Sequence, residues 1–240
     1  MMKLENFDWG WMDQPSDKYH IFNDGSTCPI GEYHKMMMLK EIFIDKSYEK
    51  FFEVSENDIV VDIGASVGPF TYSVLHKNPK HIYCLEPSES EFKTLVKNTQ
   101  GNCVTPIFKG ISDSNSLIKS NKLFGGESTM ESITFKKFID LYNLRKIDFL
   151  KTDCEGGEYD IFNQENFEFI KNHINKISGE WHLSTLDLKH KFRIFRDLYL
   201  NYFTNFEVYS IDGIDIKWNL WDESFISYYN EILIYIDNSK

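Results

Sequence analysis

Residues 60 to 68 read Val-Val-Asp-Ile-Gly-Ala-Ser-Val-Gly, a β-branched run that breaks on glycine and turns. Gly64 and Gly68 allow that turn torsions closed to other residues and let a ligand approach with no Cβ in the way. Asp62, near the end of the run, can orient the turn or meet a ligand amine. An acidic residue about 20 positions beyond such a turn grips a ribose diol, and here Leu85-Glu86-Pro87 supplies Glu86. A carboxylate suits the task because it accepts hydrogen bonds from two adjacent hydroxyls. Further along, Asp153, Glu155, Glu180 and His182 bring carboxylates and an imidazole into two short stretches.

Three chemistries compete for the loop. A dinucleotide oxidoreductase needs G-x-G-x-x-G, and the spacing Gly64-x-x-x-Gly68 puts Ser66 where glycine must let pyrophosphate come close. A serine hydrolase is formally open, because Gly64-Ala65-Ser66-Val67-Gly68 satisfies G-x-S-x-G, with Asp153 and His182 following in the required order. That reading leaves Asp62 and Glu86 without a task. An adenosine cofactor lacking pyrophosphate needs the tight turn and the ribose acid but no central glycine, and it accounts for the most residues.

These side chains need a frame that gathers distant segments. Residues 1–30, rich in aromatic and turn residues, read as an irregular cap, and helical spacing runs from Glu32 to Phe52. We take 1–50 as an N-terminal cap segment and 51–240 as the main domain. In that domain the patterns predict strands at 59–63, 82–85, 104–108, 147–152, 175–180, 206–211 and 232–236. Helices are expected at 69–77, 88–98, 138–143, 157–170 and 187–203, with Pro69 at a first helical position and Ser88 as an N-cap. Short strands are expected at 116–119 and 131–135, and Gly125–Ser128 as a connecting loop rather than a lid. Met36, Met37 and Met38 read as helix core, and His76 and His81 as flanking an exposed turn. Such alternation predicts an α/β fold with a doubly wound, mostly parallel sheet and a late antiparallel strand. Ligands of such sheets bind beyond the carboxyl ends of the strands, where strand order reverses. Both chemical stretches fall at such ends.

Composition narrows the partners. A formal charge of −11 argues against sequence-independent nucleic-acid binding, which needs a basic surface. Arg145, Arg193 and Arg196 are the only guanidinium donors, so bidentate anion clamps are scarce and a neutral sugar or other alcohol fits better than a polyphosphate. No apolar run approaches the roughly 20 residues of a membrane span, and the first eight residues do not resemble a signal peptide. Cys28, Cys84, Cys103 and Cys154 form no C-x-x-C pair and read as buried free thiols, so a cytoplasmic setting is expected.

Taken together, Val61–Gly68, Leu85-Glu86-Pro87 and Ile147-Asp148-Phe149-Leu150-Lys151-Thr152-Asp153-Cys154-Glu155-Gly156-Gly157-Glu158 resemble the FkbM family of methyltransferases. The D-F-L-K-x-D-x-E-G-x-E stretch is the more specific part. Gly110-Ile111-Ser112-Asp113 and Glu180-Trp181-His182 are also similar to family positions. The resemblance implies a Rossmann-like, seven-stranded class I domain that transfers methyl from S-adenosylmethionine, usually to a hydroxyl oxygen. By position, Asp62, Gly64, Ala65, Ser66 and Gly68 would surround the methionine part of the cofactor. Glu86, followed by Pro87, would hold the ribose, and Ser112 and Asp113 would lie by the adenine. Cys154 stands where the family often has valine, and Ser66 where asparagine is frequent.

Methyl transfer to oxygen is an in-line displacement that needs an aligned nucleophile and a route for its proton. Asp153, Glu180 and His182 are the candidates, and His182 has the ordinary pKa best suited to a base. Asp153 could instead join Glu180 in holding a divalent cation, magnesium being suited to hard oxygen ligands, which would acidify the alcohol. Glu155 and Glu158 open a helix, where carboxylates are favoured by the macrodipole alone, and Trp181 can simply pack. An inactive, cofactor-binding scaffold protein is the alternative from another functional class.

Overall fold

The computed structural model describes residues 4–101, 103–113, 117–122 and 126–239. Seven strands form the central sheet: β1 (Ile59–Ile63), β2 (His81–Leu85), β3 (Val104–Ile107), β4 (Ile147–Thr152), β5 (Ile174–His182), β6 (Phe206–Ser210) and β7 (Glu231–Asp237). Their order is β6-β7-β5-β4-β1-β2-β3. The strands β1 to β5 pair in parallel, and β7 inserts antiparallel between β5 and β6. Strand order reverses between β1 and β4, so the loops leaving these two strands part at the switch point. This is the doubly wound, Rossmann-like sheet with a late antiparallel strand that the sequence predicts.

Helices cover both faces, and their starts follow local chemistry. Pro69–Val74 begins on its proline, while Thr134 and Thr185 cap Phe135–Leu141 and Leu186–Leu198 by accepting from Lys137 N–H and Leu188 N–H. Ser88 precedes Glu89–Asn98, but its hydroxyl makes no capping bond. The single helix expected over 157–170 is two, Glu158–Ile161 and Phe167–His173. Side-chain amides explain the break: Asn163 donates to Asp160 O and Asn166 to Ile161 O, taking carbonyls a continuous helix would use.

One core fills the face where Trp181 stacks on Phe195 with ring centroids 5.2 Å apart. The other joins Val60, Phe70 and Phe149 to Ile42 and Tyr48 from the N-terminal segment. That segment holds a short hairpin (Tyr19–Ile21 with Thr27–Pro29), the helix Ile30–Met38, a π-helical turn Leu39–Ile44 and a 3-10 turn Ser47–Glu49. Its Phe7, Trp9 and Met12 pack on Val67 of the β1 loop. Met36 and Met37 are exposed, contrary to the helix-core reading, whereas Met38 is half-buried and packs against the Phe7, Trp9 and Met12 cluster.

A second sheet pairs Gly110–Ile111, Leu117–Lys122 and Gly126–Ile133. Residues 126–128, expected as loop, are therefore strand, and Gly125 lies outside the described residues. All four cysteines are free, but only Cys84 is fully buried; Cys154 sits past the end of β4. Among the described residues no helix is long and apolar enough to cross a membrane.

Candidate active site

Register sets the geometry. Ile63 pairs with Thr152, and Asp153 N–H donates to Ile63 O at 3.1 Å, so the loops after β1 and β4 run side by side. Gly64 has φ +77°, and a Cβ there would stand 1.7 Å from the Asp153 carbonyl oxygen. Only glycine fits that approach. Gly64 and Ala65 both donate to Leu85 O at 3.0 Å, which ties the turn to the end of β2. Gly68, at φ +90°, closes the turn with its N–H on Ala65 O at 2.8 Å. Glu86 is buried, with Oε2 accepting from Ser66 N–H (2.8 Å) and Oε1 from Ser88 N–H (2.6 Å) across half-buried Pro87. Burial, and then the charge of Glu91, push its carboxyl up to about 8.

Asp62 lies beneath the loop, with no exposed surface. Its Oδ2 accepts from Thr71 Oγ1 at 2.7 Å, and its Oδ1 is 3.3 Å from Lys151 Nζ, which donates to Gly64 O at 2.7 Å. Burial disfavours the Lys151 charge, but Asp62 and Asp153 outweigh it and hold the ammonium firmly protonated. Asp62 thus reaches the turn through Thr71 and Lys151. The Ser66 hydroxyl oxygen is buried with no hydrogen-bond partner, and His182 Nδ1 faces Glu158 instead, so the contact a Ser–His hydrolase requires is not formed. Ser112 is buried and donates to Ser132 Oγ at 2.8 Å, and Asp113 is exposed. A residue without a sequence signal, Asn98, staples the N-terminal segment to this loop. Its Nδ2 donates to Val67 O and Asp8 O, both at 2.8 Å, and its Oδ1 accepts from Asp8 N–H at 2.9 Å.

Beside the β4 loop, Asp153, Glu180 and His182 do come together, with one ligand atom of each within 4.8 Å of the others. Glu158 is fully buried and orients them. Its Oε1 lies 3.2 Å from His182 Nδ1 and accepts from Cys154 N–H at 2.8 Å, while Tyr159 OH donates to His182 O at 2.8 Å. The last glutamate of the D-x-E-G-x-E stretch is therefore a structural pivot as well as a helix opener. Burial opposes a charge on His182, yet Glu158, Asp153 and Glu180 outweigh it and push the imidazole up to about 10. At neutral pH that shift favours the protonated imidazole. Burial, then Asp153, holds the Glu180 carboxyl well above the usual range.

Sequence reasoning missed Glu41 and Tyr48. Tyr48 is buried and donates to Asp153 Oδ2 at 3.0 Å. Glu41, on the π-helical turn, is pushed up to about 7 by burial and then by Asp153. Glu231, opposite His182 in the β5–β7 register, adds another carboxylate. Cavities of about 670 Å³ and about 500 Å³ lie against the N-terminal segment, and neither is lined by this cluster.

The sequence signature of the methyltransferase FkbM domain matches residues 62–202, more than half of the chain. The chain belongs to the FkbM methyltransferase family. Methyltransferase 1 of Beauveria bassiana (strain ARSEF 2860) is 24% identical over 198 residues, covering 65% of this chain and 79% of that protein. Among solved structures, a fibrillarin/Nop5p complex superposes with TM-score 0.50 at 15% identity, over 94% of this chain and 90% of that one. An rRNA methylase from Streptococcus thermophilus gives TM-score 0.46 at 12% identity, over 89% and 98%. The first of these likenesses supports the fold of the methyltransferase. In this FkbM-family methyltransferase the matched span holds Gly64, Glu86, Asp153 and His182, whereas Glu41, Tyr48 and Glu231 lie outside it.

Proposed function

We propose that this methyltransferase uses S-adenosylmethionine to methylate a hydroxyl of a sugar or similar small molecule. The observation that carries the reading is Glu86. Both its oxygens are anchored to backbone N–H groups beside a turn that admits no Cβ at Gly64, and each keeps lone-pair capacity for a ribose hydroxyl. When bound, the cofactor would supply a methyl group activated by its sulfonium, which leaves as a neutral thioether once the acceptor oxygen has taken the methyl. Asp153 takes the hydroxyl proton through Oδ1, its Oδ2 being engaged by Tyr48. Charged His182, fixed by Glu158, holds the carboxylates in place. The strongly acidic chain supports a non-nucleic-acid acceptor, and four unpaired cysteines support a reducing, cytoplasmic setting.

Isothermal titration with S-adenosylmethionine and S-adenosylhomocysteine tests this. Binding of both, followed by methylation of a sugar or alcohol in an acceptor screen, is expected. No binding at about millimolar cofactor sinks the proposal, and binding without turnover on any acceptor favours a scaffold protein.

A further inference from the structure

We propose that Asp153, Glu180 and His182 bind one first-row transition dication, of the manganese, iron, cobalt or zinc type rather than magnesium. The proposal goes beyond the methyltransferase reading, because such binding is measurable without cofactor or acceptor.

Each donor is held from behind so that one atom faces the others. Tyr48 OH occupies Asp153 Oδ2 and leaves Oδ1 open. Glu158 engages His182 Nδ1, and at Nε2 the ion would take the place of the ring proton, which is released to solvent on binding. That carboxylate–imidazole pair is the outer-shell arrangement that orients histidine toward a metal. The His182 side chain is only 7% exposed, yet Nε2 makes no hydrogen bond to any described residue. Its nearest oxygens are Glu180 Oε1 at 3.5 Å, Glu155 Oε2 at 3.7 Å and Asp153 Oδ1 at 4.0 Å. This buried nitrogen lies in ion-pair range of three carboxylates but is hydrogen-bonded to none of them, which leaves a position between the donors that a cation would fill. The spread of 4.8 Å is a little wider than donors around one ion, at about 2.0–2.2 Å each, would show, and small side-chain rotations close it.

Donor type selects the ion. Two carboxylates alone would suit magnesium, but an imidazole nitrogen shifts preference toward softer first-row dications. Lys151 does not fill the position. It lies 3.7 Å away on the Oδ2 side of Asp153 and is tied to Gly64 O. Because the Asp153 carbonyl abuts Gly64, the ion would stand where the cofactor loop meets the acceptor side. With the ion bound, Asp153 Oδ1 would be a ligand instead of the proton acceptor, and the ion could bind an acceptor hydroxyl and acidify it so that its proton passes to solvent.

Chelator-treated full-length protein, titrated calorimetrically with Mn²⁺ and followed by visible absorption with Co²⁺, tests the site. One ion per chain is expected, with Mn²⁺ at least about tenfold tighter than Mg²⁺. Tyr48→Phe, which removes only a phenolic oxygen, should weaken Mn²⁺ about 10–100-fold. His182→Ala should abolish the Co²⁺ spectrum, and Glu180→Gln should weaken Mn²⁺ with the circular dichroism unchanged. No Mn²⁺ or Co²⁺ binding at millimolar ion, or equal Mn²⁺ affinity in wild type, Glu180→Gln and His182→Ala, overturns the proposal. Either result would leave the methyltransferase reading untouched, and failed cofactor binding would leave this one untouched.

Discussion

At the scale of single residues, the role proposed for Glu86 would couple cofactor recognition to pH. Burial and then Glu91 keep its carboxyl at about 8 despite the N–H bonds from Ser66 and Ser88. In that role, ribose hydroxyls would donate to the ionised form and a nearby sulfonium would favour it, so binding would lower that pKa and release a proton. Affinity for S-adenosylmethionine should therefore rise with pH by up to about tenfold per unit and level off above about pH 8. On folding, the same raised pKa has the opposite sense. The stability it contributes is complete below the unfolded value of about 4.3 and is lost as pH rises through about 8. Calorimetric titrations across this range check the binding trend. Glu86→Gln serves as the reference for titration of the ligand itself, and identical pH profiles for the two proteins would exclude the linkage.

At the scale of elements, what was legible and what was not divide by distance along the chain. The strands β1 and β4 announce themselves as apolar runs ending in turn residues, and their register then brings Gly64 against Asp153. Tyr48 meets Asp153 across 105 residues and belongs to no motif. Glu41 rides a π-helical turn that no 3.6-residue periodicity reveals. The break within 157–170 was hidden for another reason: apolar spacing registers buried positions, whereas the Asn163 and Asn166 amides act on backbone carbonyls. Asn98 likewise reads as an ordinary helix end, yet its three bonds join Asp8 of the N-terminal segment to Val67 of the loop. Asn98→Ala should cost about 1–3 kcal/mol and speed proteolysis within residues 4–16, leaving the sheet intact. Limited proteolysis read by mass spectrometry checks this, and an unchanged cleavage rate would count against the staple.

At the scale of the whole molecule, motif content changes near residue 50 but packing does not. Ile42 and Tyr48 belong to the cluster of Val60, Phe70 and Phe149; Phe7, Trp9 and Met12 cover Val67; and Tyr235 OH donates to Ser47 O at 2.7 Å. These five buried side chains from the N-terminal segment, at about 2 kcal/mol each, amount to roughly the whole stability of an ordinary domain, about 5–15 kcal/mol. A chain beginning at Phe51 would lose that contribution and expose the sheet face beneath it. It would also lose the Tyr48 hydroxyl on Asp153 and the Glu41 carboxyl beside it. The shortened chain should therefore show no cooperative thermal transition, whereas the full chain melts in one. Differential scanning calorimetry separates the outcomes. A truncated protein melting cooperatively near the full-length midpoint would mean that the sheet folds without its N-terminal segment.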